Sequence, residues 1–151
     1  MKTTCITLFF LYITALAQPP YFPFGPQTNV SKASLHGWTE CWSGSYVDGG
    51  YISAILSPCQ GDYLLLACGP TGDNTLTLLA AGSRSAITFN TGISNNPINN
   101  NGVGWYYGDN WSWGFAKEGD LILRYPCDIL DSSIANGTNG DARLCWNTYG
   151  E

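Results

Sequence analysis

Short apolar runs alternate along most of the chain with clusters of turn-forming residues. Residues 63–67 form an unbroken apolar run, which predicts a strand that is covered on both faces of its sheet. Residues 37–42 alternate in the manner of a half-buried strand. Further strands are predicted at 75–81, 85–89, 103–107, 111–116, 120–125 and 143–148.

Glycine, proline and asparagine mark the connections between these runs. Residues 69–74 are dense in turn chemistry, and residues 108–110 separate two aromatic runs as a hairpin turn does. Residues 92–102 predict a long irregular loop, because Asn and Gly tolerate left-handed backbone conformations. One short helix is predicted near 50–57, with Asp48 as its cap. The pattern as a whole predicts an all-β, disulfide-stapled antiparallel sandwich or barrel.

The first 17 residues have the organisation of a secretory signal peptide. Lys2 supplies the positive charge, residues 6–16 are mostly apolar, and residues 15–17 (Ala-Leu-Ala) form a small-x-small cleavage site. The apolar run is shorter than the about 20 residues of a membrane-spanning helix. We therefore expect a secreted, extracellular protein that begins at Gln18 and has no membrane insertion after the leader is removed.

Residues 18–34 predict an extended arm in front of a β domain at 35–151. The arm opens with Pro-Pro-Tyr-Phe-Pro-Phe-Gly-Pro after Gln18, and prolines at this density disfavour both helix and central strand. We expect its aromatic side chains to dock on the domain or the arm to be disordered. A specific contact with a neighbouring chain is the alternative.

Composition and charge narrow the choice of partners. Removing 17 of the 151 residues leaves 134, and the loss of Lys2 changes the net charge from −5 to −6. Aromatic residues make up 14% of the chain and charged residues only 11%, which is typical of extracellular β modules. The remaining basic residues do not cluster, so nucleic acid and anionic membranes are not expected partners. These basic residues are Lys32, Arg84, Lys117, Arg124 and Arg143.

Five of the six cysteines follow the leader, so one of them is odd. In an oxidising compartment cysteines normally pair, and five choices of the odd one times three pairings give 15 two-disulfide schemes. We favour Cys41 or Cys145 as the odd residue. It would be bonded to another chain, or be half of a bridge whose other half lies beyond Glu151, with a free thiol as the third alternative. Zinc binding is disfavoured because no Cys-x-x-Cys pair is present. The disulfide candidates are Cys41, Cys59, Cys68, Cys127 and Cys145.

An aromatic block occupies residues 105–115. Because strand side chains alternate between faces, we expect part of this block to face solvent. Exposed indole and phenol rings beside amides and carboxylates suit the binding of sugar rings, while a core aromatic cluster is the competing interpretation. The ligand-binding candidates are Trp105, Tyr107, Asp109, Trp111 and Trp113.

Three Asn-x-Ser/Thr triplets are glycosylation candidates, and each requires a surface position. They begin at Asn29, Asn110 and Asn136. A glycan on Asn110 would block a ligand site at the neighbouring turn.

Catalysis has little support in the sequence. His36 is the one histidine and lies near the arm, and no nucleophile-elbow motif is present. A small carboxylate-dependent, glycosidase-like hydrolase remains the alternative function, with Asp109, Glu118 and Asp120 as its acids. No cofactor or metal is expected. The leading function is a non-catalytic binding or structural module, with a glycan or an extracellular protein as partner, or self-assembly through disulfide or non-covalent contacts.

Several short motifs, taken together, resemble a domain of uncharacterised secreted proteins that has no established family name. The resemblance covers residues 35–148 and implies no catalytic residues. Relatives often continue past the final Cys-Trp, which suggests that this chain is truncated at its C-terminus. The motifs are GWxxCW from Gly37, LLLACGP from Leu64, LxL from Leu76, NGVGWY from Asn101, SWGF from Ser112, CD at Cys127 and RLCW from Arg143.

Overall fold

A computed structural model describes residues 7–10, 20–45, 50–92, 96–120 and 142–149 of the chain. Strands dominate these residues, and the prediction of an all-β, disulfide-containing fold is confirmed. The strands are β1 (Thr7–Phe10), β2 (Gln27–Ser31), β3 (Thr39–Ser43), β4 (Gly50–Tyr51), β5 (Tyr63–Cys68), β6 (Thr75–Ser83), β7 (Ile98–Asn100), β8 (Val103–Gly108), β9 (Ser112–Lys117) and β10 (Leu144–Tyr149). The helices are α1 (Ile52–Leu56), α2 (Arg84–Ile87) and a 3₁₀ turn at Lys32–Ser34.

The strands form two five-stranded sheets with the orders β2-β6-β5-β1-β3 and β4-β10-β9-β8-β7. Neighbouring strands are antiparallel, except that β4 and β10 are parallel. Leu64 and Leu66 of the first sheet share one buried cluster with Trp105, Trp113 and Phe115 of the second. The two sheets therefore face each other across a common core, as in a sandwich.

Strand β5 is covered on both faces, as its unbroken apolar run predicts. Leu64 and Leu66 join the core between the sheets, while Leu65 and Ala67 join a second cluster with Trp38. All four β5 side chains are fully buried. The second cluster covers the outer face of the first sheet, so this sheet has apolar partners on both sides.

The arm docks on that outer face rather than extending into solvent. Phe22 stacks on Trp38 with ring centroids 6.2 Å apart and meets Tyr63 edge-on at 5.1 Å. The Trp38 indole Nε1 donates a hydrogen bond to the carbonyl of Tyr21, and burial raises the pKa of the Tyr21 phenol. Asn101 adds a second anchor, since its side-chain amide donates to the carbonyl oxygen of Pro23.

The end of the arm is a strand at the edge of the first sheet. Gln27–Ser31 pairs antiparallel with β6 as the edge strand β2. The prolines of the arm all precede this stretch, the last being Pro26, so nothing prevents its backbone from donating to the sheet.

We expect Phe22→Ala to loosen the arm, because it removes both aromatic contacts. The free energy of unfolding should fall by about 1–2 kcal/mol, the scale of two partly buried aromatic pairs. Limited proteolysis should then cut the arm faster than in the original chain. Phe24→Ala is the matched control: Phe24 is 74% exposed, and its loss should change stability by less than about 0.5 kcal/mol. Equal proteolysis of both variants would contradict arm docking through Phe22.

Two predicted elements differ from the structure. The strand predicted at 85–89 was wrong: Arg84–Ile87 is the helix α2, whose N-terminus is capped by the Ser83 hydroxyl accepting from the Ala86 N–H. The loop predicted at 92–102 contains the strand β7. The short helix near 50–57 is present as α1. Asp48 lies outside the described residues, as does the strand predicted at 120–125 apart from Asp120.

A disulfide joins Cys41 on β3 to Cys59, which lies between α1 and β5, with the two Cα atoms 5.4 Å apart. Cys145 is disulfide-bonded as well. The expectation that Cys41 or Cys145 is the odd cysteine was therefore wrong. Cys68 is a buried thiol at the end of β5. Cys127 lies outside the described residues.

The strand β1 comes from the segment predicted to be a leader. It lies between β5 and β3 and pairs antiparallel with both. No helix among the described residues combines the length and the apolar character needed to cross a bilayer.

Candidate functional site at the hairpin end

The predicted hairpin is formed by β8 and β9, whose register pairs Tyr107 with Trp113 and Gly108 with Ser112. Asn110 lies in the connecting turn with a φ of 62°, a left-handed conformation that Asn adopts more readily than most residues. The Gly-Asp-Asn sequence thus forms the tight connection that its residue types indicate.

Trp105 and Trp113 belong to the core and cannot contact a ligand from solution. Both are fully buried. The Trp105 indole donates to the carbonyl of Asn100 at 3.1 Å, and the Trp113 indole donates to the carbonyl of Ile87 at 2.8 Å. Both side chains are buried because strand alternation places them on the face of β8 and β9 that packs against the first sheet.

The remaining candidates lie together where the hairpin turns. The Tyr107 ring packs in the core, and its hydroxyl donates to a carboxylate oxygen of Asp109. Asp109 and Trp111 are partly exposed, and Asn110 is exposed. We call these four residues the hairpin end. It places one indole, one carboxylate and one amide within a single turn at the rim of the sandwich.

Backbone contacts fix the hairpin end. The carbonyl of Gly108 accepts from the Trp111 N–H at 3.1 Å and from the Thr148 hydroxyl at 2.9 Å. The carbonyl of Tyr107 accepts from both the backbone N–H and the hydroxyl of Thr91, at 2.7 and 2.8 Å. A binding surface held this firmly loses little conformational freedom when a ligand binds.

Tyr51 is a half-exposed aromatic residue, two strands away from the hairpin end, that sequence reasoning missed. Its strand β4 pairs Tyr51 with Tyr149 of β10. The preceding residue, Thr148, donates its backbone N–H to the carbonyl of Trp111. Tyr51 is 48% exposed and lies two strand spacings, about 10 Å, from the turn. Only long-range pairing brings it there, so no local signal in the sequence could have indicated it.

The three acids of the hydrolase alternative are separated by the hairpin strand. Asp109 precedes β9, while Glu118 and Asp120 follow it. The six residues of β9 span about 20 Å, well beyond the roughly 5–10 Å between glycosidase carboxylates. Asp120 also forms a salt bridge of 3.2 Å with the buried Arg143. Asp109 is therefore too far from Glu118 and Asp120 to form a catalytic carboxylate pair with either of them.

The other ionisable groups of the described residues do not form a second candidate site. His36 is exposed beside the arm, away from the hairpin end. The described residues hold no group of three or more His, Cys, Asp and Glu side chains arranged to bind a metal ion.

Two of the three glycosylation candidates are described. Asn29 and Asn110 are exposed, and both have left-handed φ values, 55° and 62°. Each amide is therefore accessible to a glycan. Asn136 lies outside the described residues.

The fold and the hairpin end define a disulfide-containing, antiparallel β-sandwich with a small aromatic and polar surface at one rim. Comparison with protein-family models, curated proteins and solved structures gave no match.

Proposed function

We propose that the chain is a secreted, non-catalytic binding module that holds a carbohydrate at the hairpin end. The observation that carries the proposal is Trp111, a partly exposed indole beside a carboxylate and an amide on a fixed turn. A sugar ring offers C–H groups to an indole face and hydroxyl groups to carboxylate and amide oxygens. The N-terminal leader and the disulfide Cys41–Cys59 support an extracellular setting.

The size of the surface suits a weak, selective contact with a few sugar units. One indole and a single turn offer far less area than a deep pocket, so affinity per domain is expected to be modest. Cell surfaces present many copies of a glycan, and several weakly binding domains on one surface gain avidity.

A protein partner in an extracellular assembly is the second candidate. The position of β1 favours it, because removal of the leader would leave room in the first sheet for a strand from another chain.

The proposal predicts that Trp111→Ala weakens glycan binding by about tenfold or more, the effect of losing one stacking contact of about 1.4 kcal/mol. The protein should be secreted with Ser112→Ala as background, because this change removes the acceptor triplet but keeps the Asn110 amide, and a glycan on Asn110 would cover the site. Binding is measured on a glycan array and then by calorimetry with the best-bound sugar. Phe24→Ala is the control, because it removes an exposed ring at the opposite end of β8, beside Gly102.

Two results would reject the carbohydrate proposal. The first is a well-folded Ser112→Ala protein that binds no glycan on the array. The second is equal affinity of the Trp111→Ala and Phe24→Ala variants for the same sugar. Neither result affects secretion, which the intact mass and the N-terminal residue of the secreted protein test separately.

A further inference from the structure

We propose that removal of the leader opens a slot between β3 and β5, and that the slot binds an extended, uncharged, apolar strand from another extracellular chain. This inference rests on the secretion and leader cleavage of the proposed function. It concerns the first sheet and is independent of the hairpin end.

The slot is defined by the strand that fills it. On one side, Thr7 pairs with Ala67 and Phe10 with Leu64 of β5. On the other side, Thr7 pairs with Ser43 of β3. Because β1 is antiparallel to both neighbours, β3 and β5 run parallel to each other, two strand spacings or about 10 Å apart. Cleavage after residue 17 would remove an inner strand and leave both neighbours in place.

An empty slot is unfavourable because β1 completes both the hydrogen bonding and the cover of β5. With β1 in place, Leu64, Leu65 and Leu66 have no exposed surface. Without β1, the backbone N–H and C=O groups along one edge of β5 lose their strand partners, and the apolar side chains beside the gap become exposed to water. Unpaired strand edges of this kind are the sites at which sheets accept strands from other chains.

The neighbouring strand β3 is fixed in its position at the edge of the sheet. Cys41 is bonded to Cys59, and both Cys41 and Trp42 pack against the core cluster. Closing the slot would require β3 to move by about one strand spacing, 4.8 Å, and to leave that packing. The arm cannot fill the slot either, since its strand β2 is paired with β6 at the far edge of the same sheet.

The segment that occupies the slot indicates the chemistry of its partner. Its sequence is Thr-Leu-Phe-Phe, without charge or proline. Strand β5 carries no charge, and Glu40 is the one charged residue of β3 and is exposed. A charged strand would lose its hydration beside β5 without gaining a counter-ion. A proline within the strand would remove a donor from the ladder.

The test uses the full chain expressed in a secretory host, with the N-terminus read by intact mass. The secreted protein is titrated with a labelled peptide of residues 6–11 carrying a C-terminal lysine tail for solubility. The control peptide has the same tail and the changes Leu8→Pro and Phe9→Pro. Fluorescence anisotropy gives both affinities, and size-exclusion chromatography with light scattering gives the oligomeric state.

The expected result is a chain that starts at Gln18, is monomeric and binds the native peptide at least tenfold more tightly than the proline peptide. A chain that starts at Gln18 but does not distinguish the peptides overturns the slot and leaves secretion intact. If the secreted chain is a dimer that dissociates when the native peptide is added, a second copy of this chain fills the slot. That result overturns the proposal that a different protein supplies the strand. Retention of residues 1–17 in the secreted protein overturns both the slot and leader cleavage.

Discussion

Replacing Gly114 by alanine is expected to prevent stable folding of the second sheet. A Cβ atom at this position would overlap the carbonyl oxygen of Leu144 and lie 2.8 Å from the Cα atom of Cys145. Both are backbone atoms of β10, so no side-chain rotation relieves the clash and β9 must separate from β10. We expect a loss of about 4 kcal/mol or more, which belongs to the exceptional range for single substitutions.

Urea unfolding of the secreted protein, together with its yield, measures the effect of Gly114→Ala. Gly50→Ala is the matched control in the same sheet, because its Cβ would meet Ile55 Cδ1 at 3.4 Å, an ordinary van der Waals contact. The control should change stability by less than about 1 kcal/mol. If the two variants unfold at the same urea concentration, the close approach of β9 to β10 is wrong.

The second large effect is expected for Trp113→Ala. The substitution opens a cavity in the core between the sheets and leaves the buried carbonyl of Ile87 without its indole donor. Losses of about 3–5 kcal/mol are usual when a buried tryptophan is truncated. Trp113→Phe keeps most of the volume but not the hydrogen bond, so it should cost less, about 1–3 kcal/mol.

Trp111→Ala provides the contrast for Trp113→Ala, since Trp111 lies only two positions away but in the turn before β9. We expect Trp111→Ala to lower stability by about 1 kcal/mol, because its ring is only partly buried. Thermal unfolding of both variants by circular dichroism measures the difference. A larger loss for Trp111→Ala would mean that the hairpin end is a structural element rather than a binding surface.

Elements with strong local signals could be predicted from the sequence. The hairpin of β8 and β9 follows from two aromatic runs around Gly108-Asp109-Asn110, and β5 follows from its continuous apolar run. Helix α2 was missed because its four residues are too few to show helical periodicity. Its local signal, the Ser83 cap, is shared with many turns.

The candidate site could be predicted only in part. Alternation indicates which aromatic residues share a face, but not whether that face meets another sheet or solvent. Trp105 and Trp113 face the other sheet and are fully buried, whereas Trp111 lies in the turn before β9 and is partly exposed. Tyr51 depends on the pairing of β4 with β10, two strands separated by about 90 positions in the chain.

The disulfide Cys41–Cys59 could not be deduced from spacing either. It requires β3 at the edge of the first sheet to lie beside the chain that leads from α1 into β5. That proximity is set by sheet order, which is a property of the whole fold and not of the sequence near either cysteine.

The burial of Cys68 gives the protein a chemical reporter of its own opening. A thiol inside a sheet reacts with an alkylating reagent only during the moments when the surrounding structure opens. Since Cys68 is the last residue of β5, the rate at which it is labelled reports how often that strand opens. Mass spectrometry of a timed alkylation would thus follow the kinetics of the first sheet in the native chain, without any engineered probe.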